Sequence, residues 1–131
     1  MYSQIIREHA INPRNCFKME RPTVSGHSTY PRCGDKLTMF FRIQENAIQE
    51  VSFVAKACGP VIAAASYSTT VLVGQTLEEA QSWSVFELHE ALGGMPVSKR
   101  HALLMVLECV HDALGESLLN TKTKEFSNDH T

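Results

Sequence analysis

The chain has no Cys-x-x-Cys pair among its four cysteines. That absence counts against a zinc ribbon and against a thioredoxin-type redox motif. It has no apolar run approaching the roughly 18 residues that a membrane span needs. It has no excess of either charge: 12 basic residues against 14 acidic ones give a formal net charge of -2, so the basic footprint of a nucleic-acid binder is missing. The opening stretch MYSQIIREHA lacks a basic segment followed by an apolar one. No secretory signal is read there, and a cytoplasmic setting with reduced thiols is expected. The His-x-Glu and Pro-Cys-x-x-Cys arrangement of the zinc deaminases is also missing, and His89-Glu90-Ala91 has no partners for such chemistry. Neither a repeat nor a linker interrupts the 131 residues. One domain over 1–131 is expected, with a polar tail from about 120 that frays.

What is present reads as ordinary globular protein, 44% hydrophobic and 20% charged. Tyr2 to Ala10 predicts a short helix, capped by Ser3 and ended by Asn12-Pro13-Arg14-Asn15. Residues 16–30 predict a loop or a short edge strand. Leu37, Met39, Phe41 and Ile43 alternate with polar neighbours, which predicts a half-buried strand. QENA at 44–47 supplies a turn, and Val51, Phe53 and Ala55 predict an antiparallel return. Beyond Lys56 the chain turns Ala-rich and nearly uncharged, predicting a buried helix from Gly59-Pro60 to Gly74. Thr76 with Glu79, and Ser84 with Glu87, are capping-box pairs. Gly93-Gly94-Met95-Pro96 is a break. Ser98 to Leu119 predicts one long amphipathic helix with Leu103, Leu104, Val106, Leu107, Val110 and Leu114 mostly on one face. Strands first and helices after give an α+β class: a small antiparallel sheet of about three strands, helices on one face, and a long C-terminal helix.

The cysteines are Cys16, Cys33, Cys58 and Cys109. Cys33 falls at the entry to the first clear strand and Cys58 between a strand end and a helix start. Both are edges of elements. A thiol at a helix N-terminus gains from unpaired amides and the helix dipole, which favour thiolate, the form that binds metal. Each cysteine taken alone reads equally as a small buried hydrophobe. Asp35 puts an oxygen donor two residues from Cys33, with Gly34 free to shape the bend between them. Alone it reads as a turn residue. His101 opens the long helix and alone reads as a solvent-facing residue. Cys109 follows His101 by eight residues, about 12 Å along a helix, too far for one metal to take both. It reads as a core thiol, and Cys16 as an incidental loop residue.

Taken together, NPRN at 12–15, CGD at 33–35, the apolar hairpin after it and ACGPVIAAAS at 57–66 resemble the scaffold family of iron–sulfur cluster assembly, the IscU proteins and the N-terminal domain of NifU. The resemblance spans roughly residues 2–115, and it rests on the order and spacing of all four stretches. It implies a carrier rather than an enzyme, with Cys33, Asp35, Cys58 and His101 around a transient [2Fe–2S] cluster or a Zn2+ ion. It implies a cysteine desulfurase, apo-acceptor proteins and a chaperone as partners, no nucleic acid or membrane, and leaves a homo-oligomer open. The chaperone-recognition stretch of the family is matched only in part at 94–99. One departure stands out. Where the family has Lys-x-His-Cys, this chain has Lys99-Arg100-His101-Ala102. With the third cysteine gone, Cys33 or Cys58 would have to receive sulfur. The alternative is a diverged relative that holds a metal structurally, or regulates assembly, without transferring clusters.

Overall fold

The computed structural model describes the backbone through Phe126 and the side chains through residue 115. The tail expected to fray from about 120 lies outside the described side chains; α5 (His101–Phe126) carries the backbone helix past 120. At the other end, the Ser3 hydroxyl accepts the Ile6 amide at 3.1 Å and starts α1 (Gln4–Ile11). Asn12 closes that helix ahead of Pro13.

Three strands follow: β1 (Val24–Tyr30), β2 (Asp35–Gln44) and β3 (Ala47–Lys56), antiparallel, in the order β1-β2-β3. Residues 16–30 therefore hold a full edge strand of seven residues in their second half. Its inward positions include Gly26 and Ser28, which are buried but small, so the alternation is faint in the sequence. Between β2 and β3, Glu45 and Asn46 both take positive φ, 53° and 63°. That is the two-residue turn whose twist matches the flanking strands. Register sets Met39 opposite Phe53 and Phe41 opposite Val51. With Leu37 and Ile48 these four side chains form the sheet's share of the core.

Helices cover one face of this sheet. α2 (Gly59–Leu72) lies against β3, and α5 crosses β1 and β2. Ala63, Ala64 and Ala65 of α2 are fully buried, so its backbone comes close to its neighbours. Its buried hydroxyls are satisfied, as burial requires. Ser68 donates to the Ala64 carbonyl and Thr69 to the Ser66 carbonyl, each at 2.7 Å. Ser66 Oγ accepts the Arg14 amide at 2.8 Å and lies 2.7 Å from His9 Nδ1. Those bonds tie α1 and the loop after it to α2.

Both capping boxes are present, at α3 (Leu77–Gln81) and α4 (Val85–Ala91). A short 3-10 turn, Val97–Lys99, then leads into α5, which begins at His101. The expected single apolar face of α5 is broader than its sequence suggests. Met105, Leu107, Cys109 and Ala113 are buried together with Leu103, Val106, Val110 and Leu114. The sheet bounds α5 on one side, and α2, α3 and α4 pack on others. Leu104, expected inside, stands 52% exposed. The β1–α5 contact is backbone-close at Gly26, and Asp112 accepts the His27 amide at 2.9 Å. That bond occupies a donor on the edge strand, which would otherwise be open to a foreign strand. No helix among the described residues is long and apolar enough to cross a membrane.

Candidate metal centre

Three chain segments meet at one end of the sheet. Asp35 is the first residue of β2, Cys58 is the N-cap of α2, and His101 is the first residue of α5. Each side chain is thus held at the end of an element, with its backbone fixed by the helix or ladder that follows. Asp35 is 5% exposed, His101 9%, and Cys58 is half-buried. His101 Nε2 lies 3.2 Å from Asp35 Oδ2 and 3.8 Å from Cys58 Sγ. All three donor atoms fall within 4.8 Å of one another.

These spacings can be set against a real coordination shell. Metal–nitrogen and metal–oxygen bonds of about 2.0–2.1 Å and metal–sulfur bonds of about 2.3 Å give tetrahedral edges of roughly 3.3 Å for N···O and 3.6 Å for N···S. The two measured edges are each within a few tenths of an ångström of those values. Both edges at His101 therefore suit one borderline metal ion held by three donors. Iron or zinc both accept thiolate and imidazole; the carboxylate is the hardest of the three donors.

The electrostatics oppose an empty, charged site. Burial pushes the Cys58 thiol up from its ordinary range, and the neighbouring Asp35 carboxylate pushes the same way. The Val61 amide at the helix start and the Lys99 ammonium pull it down without prevailing. The helix end alone therefore does not secure a thiolate at Cys58. A coordinated cation reverses that balance, since a coordinating thiol loses its proton outright.

Of the four donors expected from the sequence, the structure brings three together and leaves Cys33 apart. Cys33 sits on the exposed turn between β1 and β2, and its amide donates to the Tyr30 carbonyl at 3.1 Å. Gly34, next to it, has φ of 72° and open space where a Cβ would stand. Ala102 is fully buried, so the position after His101 offers a packed methyl and no donor. Cys109 is buried in the core, where its thiol approaches the Leu37 carbonyl at 3.5 Å. Desolvation, joined by the Asp112 and Glu108 charges, raises it far above the usual thiol range. Cys16 is exposed in the loop beside β3. One neighbour of the site was not legible in the sequence: the Tyr30 ring lies stacked on the His101 imidazole. An aromatic residue three positions before Cys33 was the only available signal.

Comparison with known proteins follows the same line. The family model described as NifU-like N terminal domain matches residues 1–124. The chain is 33% identical over 114 residues to the iron-sulfur cluster assembly scaffold protein IscU 1 of Archaeoglobus fulgidus, covering 87% of this chain and 74% of that one. It is 32% identical over 119 residues to the scaffold protein IscU of Azotobacter vinelandii, covering 88% and 92%. A SUF-system protein of Fervidobacterium islandicum superposes with a TM-score of 0.70 at 17% identity, over 86% of this chain and 96% of that one. At that identity the likeness is one of fold.

Proposed function

We propose, since this chain belongs to the NifU-like N-terminal domain family, that it is a scaffold on which an iron–sulfur cluster is assembled and from which the cluster passes to an acceptor. The observation that carries this reading is the convergence of Asp35 Oδ2, Cys58 Sγ and His101 Nε2 within 4.8 Å at the ends of three elements. The cluster is cargo. The chain's task is to hold it and let it go, as a carrier rather than an enzyme.

Each residue has a definite part. Cys58 and His101 supply the donors that iron and zinc share. Asp35 supplies an oxygen, a poor match for cluster iron, which prefers thiolate. With Ala102 adding no sulfur, such a shell binds less firmly than an all-cysteine one, which suits release. Cys33, exposed on its turn, is the thiol best placed to meet a partner. Its thiolate would attack the outer sulfur of a desulfurase persulfide. A new S–S bond forms at Cys33, and the partner's cysteine leaves as thiolate. For Cys33 to close the fourth corner, its turn would have to fold inward about Gly34, whose φ of 72° already lies in the region glycine favours. The partners are a cysteine desulfurase, apo-acceptor proteins, and a chaperone reading residues 94–99. The chemistry needs reduced thiols, which points to the cytoplasm.

A second reading is favoured by one observation, the methyl group of Ala102 in place of a donor. Two sulfurs, one nitrogen and one oxygen complete a tetrahedral zinc set, and a relative that keeps the metal without transferring clusters would need nothing more.

Metal loading of substituted chains tests the site. Asp35→Ala, Cys58→Ser and His101→Ala should each weaken zinc or ferrous iron binding by more than the roughly tenfold to hundredfold that loss of an outer-shell partner costs. Cys109→Ser should bind as the unsubstituted chain does. Equal metal content in Cys58→Ser and the unsubstituted chain would remove the proposed centre.

A further inference from the structure

Tyr30 touches three of the four donor-bearing segments at once. It ends β1 directly opposite Asp35 in the ladder. Its carbonyl accepts the amides of Cys33 at 3.1 Å and Gly34 at 2.9 Å, which folds the turn that carries Cys33. Its ring lies on the His101 imidazole with centroids 4.2 Å apart and planes 14° from parallel. The first two contacts are backbone contacts, which any residue could make. The third needs an aromatic ring.

From that third contact we propose that Tyr30 is a positioning residue of the metal centre, whose ring holds the plane of the His101 imidazole in which Nε2 can point between Asp35 and Cys58. The physical reason lies in the histidine side chain itself. Rotation about its terminal torsion is broad and roughly two-fold, so covalent geometry does not choose which ring edge faces the other donors. At the start of α5 only the short 3-10 turn Val97–Lys99 precedes it. An imidazole lying flat under a second ring cannot rotate out of plane without colliding with it. The stack therefore removes the out-of-plane orientations, and of the two flat ones that remain, the Asp35 carboxylate at 3.2 Å selects the one that presents Nε2. It also covers one face of the imidazole, consistent with its near-complete burial. Tyr30 need not touch the metal. It acts through His101, and the orienting role is of the kind that hydrogen-bonding neighbours play for ligating histidines elsewhere.

This inference rests on the metal reading above, and the test separates the two. The full-length apoprotein is titrated anaerobically with Co2+, following the ligand-field and sulfur-to-cobalt bands, and then with Zn2+ against a chelating dye. The imidazole C–H resonances of His101 are recorded in the apoprotein. Tyr30→Leu keeps apolar bulk but removes the ring. It should lose about twofold to tenfold in Zn2+ affinity, the worth of an aromatic pair. It should also change the Co2+ ligand-field pattern and lose the upfield ring-current shift of His101. Tyr30→Phe should restore the shift, the bands and most of the affinity. Should the leucine variant fail to fold, Tyr30→Met replaces it, and the same three readouts apply. A leucine or methionine variant with unchanged affinity and unchanged bands overturns the proposal, as does a phenylalanine variant that loses as much as leucine. An unsubstituted chain that binds neither ion overturns the metal reading itself, and this one with it.

Discussion

Gly26→Ala is the smallest change that the fold should not tolerate. A Cβ at Gly26 would stand 1.9 Å from the Cys109 carbonyl oxygen, 2.8 Å from that carbonyl carbon and 2.9 Å from the Ala113 amide nitrogen. The usual carbon–oxygen approach is about 3.3 Å, so β1 and α5 must part by roughly 1.4 Å at this point. Every atom met is backbone, and no rotamer change relieves the clash. The separation also stretches two bonds between the same elements, His27 N–H to Asp112 at 2.9 Å and the Ser28 hydroxyl to Glu108. Overpacking at the upper end of its range costs about 3 kcal/mol, and weakening those bonds adds about 1 kcal/mol. At the entropy of unfolding of a chain this long, about 4 kcal/mol lowers Tm by roughly 10–15 °C. Thermal and urea unfolding of the metal-free protein, followed by circular dichroism, reads this directly. Gly59→Ala is the control, because its Cβ would meet only the Ala10 Cβ at 3.9 Å, and it should stay within about 1 kcal/mol. A Gly26→Ala chain within 3 °C or so of the unsubstituted protein would refute the close β1–α5 contact, given a slope of about 3–4 °C per kcal/mol.

Thiol labelling should follow burial: a neutral thiol reagent modifies Cys16 and Cys33 quickly and Cys58 slowly, and reaches Cys109 only on unfolding. Native-state modification of Cys109 at the rate of Cys33 would contradict the packing of α5. Stability should also fall with acidity through His9. Burial and the Arg14 charge hold His9 below the ordinary histidine value of 6.5, against a weaker pull from Glu8. The unfolded chain therefore takes up a proton before the folded one does, and stability is lost as pH drops from about 6.5 toward the lower folded value. His9→Gln should flatten that part of the stability profile, as followed by urea unfolding at a series of pH values. An unchanged slope in that variant would contradict the neutral His9–Ser66 bond.

Local signals in the sequence proved legible where the structure they specify is also local. The pairs Thr76–Glu79 and Ser84–Glu87 form their capping boxes, and the turn at Glu45–Asn46 closes its hairpin, because every atom involved lies within four residues. β1 was half legible: its inward Gly26 and Ser28 are chosen for closeness to α5, and small residues leave no hydrophobic alternation to read. The burial of α5 around most of its circumference depends on what packs against it, which the periodicity of one segment does not record. At the site, the order of Asp35, Cys58 and His101 was readable from family resemblance, and the fold brings those three together. Cys33 was read with them and stands on an exposed turn, outside the group of three. The stack of Tyr30 on His101 joins residues far apart in sequence, so no spacing rule could have named it.

The account's central claim is that this centre builds a cluster and gives it away. The most direct measurement is anaerobic reconstitution of the protein with ferrous iron, cysteine and a cysteine desulfurase, followed by absorption spectra before and after adding an apo-ferredoxin. The account predicts cluster bands that form on this chain, fail to form on Cys58→Ser, and move to the acceptor. A chain that keeps about one zinc ion in its tetrahedral site, forms no cluster and delivers nothing to the acceptor would contradict it.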